Sequence, residues 1–232
     1  MRLRRIVPAV IAAAVAALTL TAAPAAASTS APPGTSPSAA PAVRGGDVLY
    51  GEGGGACTVG YNARNTNTYF GIMAGHCAGT SQTWYADPGH TVKVGVTAGV
   101  SFPGDDYALV RYTNPDLSYP GEINLGGGRT LDITGAANPV TGQSVCQASQ
   151  VTGVHCGTVQ AVNVTVNYPW GTVNGLFRTN LCSGPREGGA PVFSGSTALG
   201  VGSAASGNCQ SGGTTFHQPV VEVLAAYGLS IY

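Results

Sequence analysis

The chain has 232 residues, with ten basic against ten acidic side chains, only 9% charged residues and 35 glycines. A formal net charge of zero at pH 7 excludes the basic footprint of a nucleic-acid or anionic-membrane binder. Six cysteines and so much glycine fit a turn-rich, crosslinked β protein rather than a helical one.

At the N-terminus Arg2, Arg4 and Arg5 precede an apolar run from Ile6 to Leu20, which ends on Ala25-Ala26-Ala27. That is the pattern of a cleaved export signal at 1–27. No other stretch approaches the roughly 20 apolar residues of a membrane span, so the expectation is a secreted, extracellular monomer. Ser28 to Val43 is rich in Pro, Ser and Ala and cannot bury a core, which makes 28–43 a disordered linker or residual pro-segment. Residues 44–232 then carry short apolar runs between Gly, Asn, Asp and Pro turns, the pattern of an all-β barrel or sandwich. The clearest runs are 69–74, 91–97, 107–112, 157–168, 176–181 and 197–202. One helix is expected near the C-terminus, where Pro219 can open it and Val220, Val223, Leu224 and Tyr227 share a face. The Pro-bearing stretch Asn114–Gly121 reads as a seam between an N-terminal part at about 44–116 and a C-terminal part at about 117–232.

An even set of cysteines in an exported chain is a disulfide framework whose pairing the sequence alone leaves open. Two residues beside the apolar runs carry chemistry, His76 in GIMAGHC and Asp106 in GDDYALVRY. A carboxylate that fixes the tautomer of an imidazole makes a general base, and Asp105 reads as the solvated neighbour. Such a base needs a hydroxyl to act on. The glycine-rich turn CSGPREGGAP, residues 182–191, offers none at its apex, where Gly188 stands. Ser183 and Ser194 lie too far along the chain to occupy that apex. His76 and Asp106 are too few ligands for a metal site, and no cofactor is implied.

The segments GGDVLYG, MAGHC, SFPGDDYALVRY, GTVQAVNVTVNY, SGNCQSGGTTFHQP and AYGLSIY resemble the streptogrisins, the small secreted bacterial branch of the chymotrypsin-like S1 serine endopeptidases. The resemblance implies an all-β, trypsin-like fold of two six-stranded antiparallel barrels with a C-terminal helix. It also implies the disulfides Cys57–Cys77, Cys146–Cys156 and Cys182–Cys209. His76 and Asp106 match the catalytic histidine and aspartate, while Gly188 falls on the nucleophile and Arg186 with Gly188 on the oxyanion hole. Ser183, Ser203, Ala205 and His217 match substrate-binding positions.

The departures generate further expectations. Arg186 replaces a glycine, so its N–H is expected to turn away and a Gly188→Ser change alone to restore little. Glu187 has lost the cation of its usual ion pair, because Gln147 and Ala148 stand there, and it is expected to relax toward solvent or Arg186. Ala204 and Ala205 should narrow the cleft. Ser183 and His217 suggest a pocket for an acidic side chain, strengthening as His217 gains a proton near ~6.5. The expected protein is a pseudoprotease that binds a peptide or protein ligand. The competing reading is an active endopeptidase with a preference for acidic residues.

Overall fold

The structure, a computed structural model, describes residues 40–79, 81–169 and 171–232. The expected signal segment lies outside the described residues.

Strands β1 (Val48–Gly51), β2 (Ala56–Thr58), β3 (Tyr61–Arg64) and β4 (Tyr69–Met73) lead into a single helical turn, α1 (Gly75–Ala78). With β5 (Thr83–Tyr85), β6 (Lys93–Ser101) and β7 (Tyr107–Tyr112) they form an antiparallel sheet in the order β2-β1-β5-β6-β7-β4-β3. Because β2 and β3 are arms of one segment bent at Val59-Gly60, the two ends of that order meet and the sheet curls into a barrel. The bend requires glycine. A Cβ on Gly60 would lie 2.4 Å from Val201 Cγ1 and 2.7 Å from the Gly189 carbonyl.

The hairpin β8 (Glu122–Gly126) and β9 (Arg129–Asp132) follows the seam. The second sheet contains β10 (Gly135–Ala136), β11 (Ser144–Ser149), β12 (Gly153–Tyr168), β13 (Gly171–Thr179), β14 (Pro191–Ser194), β15 (Thr197–Asn208) and β16 (Gly212–Pro219). Its order is β10-β15-β14-β11-β12-β13-β16, and β15 pairs β16 as well, which closes six strands on one another. The short β10 adds a parallel flange to β15. The closing helix α2 (Val220–Tyr227) buries Val220 and Val223 and ends on Gly228 in the left-handed region at φ 60°. Pro219 caps it from one residue outside.

Each barrel has its own apolar filling, Leu49, Trp84, Val94 and Val110 in the first and Val145, Val159, Phe177 and Leu199 in the second. A third cluster joins them, in which Tyr61, Ile72 and Leu109 meet Val201, Val220 and Val223. The Tyr61 hydroxyl crosses the same seam to donate to the Val192 carbonyl. One boundary moves. Val43, expected in the linker, is buried with the first core, and its N–H donates to the Ser118 carbonyl at 2.9 Å. An apolar side chain with a core to fill and a backbone partner to meet does not remain in a tether.

The three disulfides pair as the resemblance implies, Cys57 with Cys77, Cys146 with Cys156 and Cys182 with Cys209. The last closes 27 residues, so replacing both cysteines by alanine should cost about 3–4 kcal/mol in urea unfolding. An unchanged midpoint would mean that this loop is already constrained in the unfolded chain.

Candidate active site

The site lies where the barrels meet. β4 runs into α1 and delivers His76 to the seam, while its neighbour Cys77 is tied to Cys57 beside Thr58. Asp106 precedes β7 and is fully buried. Its Oδ2 accepts the His76 Nδ1 proton at 2.9 Å and the Ser203 hydroxyl at 2.6 Å. Its Oδ1 accepts the His76 backbone N–H at 2.9 Å, and its own N–H donates to Gln218 Oε1 at 2.9 Å. A buried carboxylate with these donors holds the imidazole in one tautomer and leaves Nε2 as the free end. Asp105 instead accepts from Ser101 at 2.9 Å. Ser203, expected to pair with a substrate backbone, also spends its hydroxyl on Asp106, and the Tyr168 hydroxyl lies 3.1 Å from it.

The turn bearing Gly188 is clamped from both barrels. Thr58 donates its hydroxyl to the Arg186 carbonyl and its N–H to the Gly188 carbonyl, both at 2.9 Å. On the other side the Gly189 N–H donates to the Gly202 carbonyl at 2.7 Å. Arg186 therefore takes the left-handed conformation of a glycine, φ 66°, at a cost of about 1–2 kcal/mol. The expected disruption at Arg186 is corrected in this respect, because the clamps outweigh the strain. Among the described residues, the successive N–H groups of Arg186, Glu187 and Gly188 donate to no protein acceptor. All three residues line a recess of about 170 Å³.

Glu187 does not face solvent; only 2% of it is exposed. Hydroxyls of Ser149, Thr152 and Ser183, the N–H groups of Thr152 and Gly184, and the Gln147 amide all donate to its carboxylate. Neutral donors replace the missing cation. Burial pushes the carboxyl up, but hydrogen bonds from Ser149, Thr152, Gly184 and Ser183 together hold it below its ordinary range.

Gly188 lies outside the left-handed region, and a Cβ built on it would sit 2.7 Å from His76 Nε2 and 3.1 Å from Cys77 Sγ. The place of a side chain at 188 is thus directly before Nε2. Among the described residues no hydroxyl is hydrogen-bonded to that nitrogen. Ser183 is committed to Glu187 at 2.9 Å, and Ser194 pairs with Thr197 at the far end of β14.

Ser183, Ala204, Ala205, Thr215 and His217 line the same recess. His217 is fully buried. The Thr215 hydroxyl lies 2.7 Å and the Thr179 hydroxyl 3.3 Å from its Nε2, the Phe177 ring centroid is 4.9 Å from its own, and among the described residues Nδ1 has no partner. Burial pushes its pKa down to about 3. The expected protonation near the ordinary histidine value is therefore corrected, and Ser183 has no free proton to offer an acidic side chain. A second recess of about 230 Å³ is walled by His76, Phe102, Tyr168 and Ser203 to Ala205. Among the described residues two groups with metal-ligand composition occur, Cys57, His76 and Cys77, and His155, Cys182 and Cys209. In both, the sulfurs are bound in disulfides, which leaves one histidine each.

Sequence reasoning missed the hydroxyls at 149 and 152, the Thr58 clamp and Gln218. Each acts through a long-range pairing that no local motif signals.

No protein-family model matches the chain. Serine protease 2 of Streptomyces fradiae is 45% identical over 175 residues, 75% of this chain and all of that protein. Glutamyl endopeptidase 2 of Streptomyces griseus is 44% identical over 191 residues, again over its full length. The solved structure of the alpha-lytic protease homolog N4 is 58% identical, with a TM-score of 0.78 over 82% of this chain and all of that one. The chain belongs to the streptogrisin-like serine proteases of the chymotrypsin fold. It spans 48% of Streptogrisin-D of Streptomyces griseus, a longer relative. Another family structure, 44% identical with a TM-score of 0.78, is described as a glutamic-acid-specific protease using a histidine triad in substrate binding. Here the neighbours of His217 are Phe177, Thr179 and Thr215.

The buried imidazole has a consequence for stability. Its folded pKa of about 3 lies below the ordinary 6.5. Its stabilising share is therefore complete above 6.5 and is lost as pH falls toward 3, by about 5 kcal/mol at the acid limit. His217→Gln should flatten the stability curve between those values in denaturant titrations. An unaltered slope would show that His217 already gains a proton in the fold.

Proposed function

We propose that this chain is an exported streptogrisin-like protein that holds peptide or protein segments in its cleft without cleaving them. The observation that carries the reading is that, among the described residues, no hydroxyl is hydrogen-bonded to His76 Nε2, where Gly188 supplies only backbone. His76 and Asp106 occupy the base and orienting positions, and Arg186 with Gly188 the oxyanion positions. Without a nucleophile, turnover in such a site falls on the order of a millionfold. The recess, the second recess walled by Phe102 and Tyr168, and the strand from Ser203 to Ala205 supply the surfaces for a bound segment. Export is supported by the three disulfides. Among the described residues no helix is long and apolar enough to cross a membrane.

The mature chain should remain unlabelled by fluorophosphonate probes and should release no product from peptide substrates. Stoichiometric labelling that disappears in His76→Ala would establish a hidden nucleophile and restore the endopeptidase reading.

The clamped turn also changes the expectation for repair. Gly188→Ser alone should give measurable fluorophosphonate labelling, because serine suits the backbone at 188 and the N–H groups beside it are unpaired. His76 must yield by a few tenths of an ångström, since the new Cβ would otherwise lie 2.7 Å from Nε2, so the rate should stay below that of the active relatives. A folded Gly188→Ser protein that does not react at all would mean that the turn cannot stabilise an oxyanion.

A further inference from the structure

The unpaired N–H groups of Arg186, Glu187 and Gly188 form a concave run beginning at a left-handed residue. Successive N–H groups in such a turn make a site for an anionic oxygen. Three features distinguish this one from a site for a peptide carbonyl. Arg186 is exposed and lines the recess, bringing a positive charge to it that a glycine would not. Gly188 leaves empty the space that a side chain would take before His76 Nε2, room for a second ligand oxygen. Finally, the two nearby carboxylates are buried and already surrounded by donors, Asp106 by His76 and Ser203 and Glu187 by its hydroxyls and amides.

Resting on the non-cleaving reading above, we propose that the site captures the free C-terminal carboxylate of a peptide. One oxygen sits on the N–H groups of Arg186 and Gly188. The other occupies the vacant side-chain position and meets His76 Nε2 across one proton taken up from solvent on binding. The last side chain enters the recess beside Thr215 and His217, and the preceding residues lie along Ser203 to Ala205. An internal peptide offers one neutral oxygen at this point and has to continue its chain past Gly188, so it forfeits both the charge and the second contact. Capture of a terminal carboxylate by backbone N–H groups is a known mode of peptide recognition. The ligand class is therefore the newly formed ends of cleaved chains rather than intact protein segments.

The test is fluorescence anisotropy of the mature chain with N-terminally labelled Ala-Ala-Pro-Leu, once as the free acid and once as the C-terminal amide. The acid should bind about tenfold to a hundredfold more tightly, the range of a charge-assisted hydrogen bond. Arg186→Gly, which also relieves the left-handed strain, should weaken the acid about tenfold and so narrow the gap between acid and amide. Equal affinities for acid and amide, or binding of neither, would overturn the capture while leaving the non-cleaving reading intact. Hydrolysis of the amide's peptide bonds or labelling by a fluorophosphonate would overturn both.

Discussion

A buried carboxylate without a cation governs this site. Glu187 lies behind the turn that carries Gly188; the bonds it accepts from Ser149 and Thr152 tie that turn into the second barrel, and those from Ser183 and Gly184 close the turn on itself. An isolated buried charge costs several kcal/mol, and losing the partner of a buried pair normally does the same. Here the cost is offset by hydroxyl and amide donors, which match a carboxylate's acceptor sites without adding an opposite charge. The carboxylate of Glu187 reaches Ser149, the last residue of β11, and Thr152 just beyond it. The ion pair has thus been replaced by a neutral cage, and the turn it anchors keeps its shape.

That shape couples the two barrels. Thr58 from β2 holds the turn on one side and Gly202 from β15 on the other. Asp106, from the start of β7 in the first barrel, is in turn held by Ser203 and Gln218 of the second. Gln218 passes the link onward, since its amide donates to Glu222 at 2.6 Å in α2. The histidine, the carboxylate and the turn are therefore not three independent features. The carboxylate and the turn are each fixed by strands of the opposite barrel, and the histidine is fixed through the carboxylate, so loosening the seam would move all of them together. Gly60 and Gly189 allow this close approach, because a Cβ at either would strike backbone from the neighbouring element.

The legible parts of the chain were those where a local pattern coincides with burial. β7, buried at every position but Arg111, was readable from end to end, and so was the apolar face of α2. β15 was readable only to Gly202. Beyond it the strand continues through the buried Ser203 and half-buried Ala204 into a two-stranded ribbon with β16 that is exposed from Ala205 to Asn208, where Gly, Ser and Asn carry no alternation. His76, Asp106 and the departure at Gly188 were visible as motifs. The fates of Arg186 and Glu187 were not, because each depends on residues more than 30 positions away. Local rules penalise an arginine at positive φ and a buried unpaired acid, and both penalties apply here. They are outweighed by Thr58 in one case and by Ser149 with Thr152 in the other, which no spacing rule reveals. His217 failed for a related reason, since its neighbours Phe177 and Thr179 come from β13 and set a dry environment that the sequence around His217 does not announce.

The three changed positions of the turn are coherent when taken as charges rather than as losses. Glu187 keeps its negative charge behind the turn, screened by its own donors, while Arg186 adds an exposed positive charge to the recess. Gly188 removes the one group that would compete for space with an incoming oxygen. A turn that had merely decayed would be under no constraint to keep arginine in a left-handed conformation, since releasing it would recover about 1–2 kcal/mol. The carbonyl of that same arginine is the acceptor for Thr58, so the strain is bound up with the contact that joins the barrels. The turn is therefore held with the N–H groups of Arg186, Glu187 and Gly188 unpaired among the described residues, beside a place where negative charge can sit.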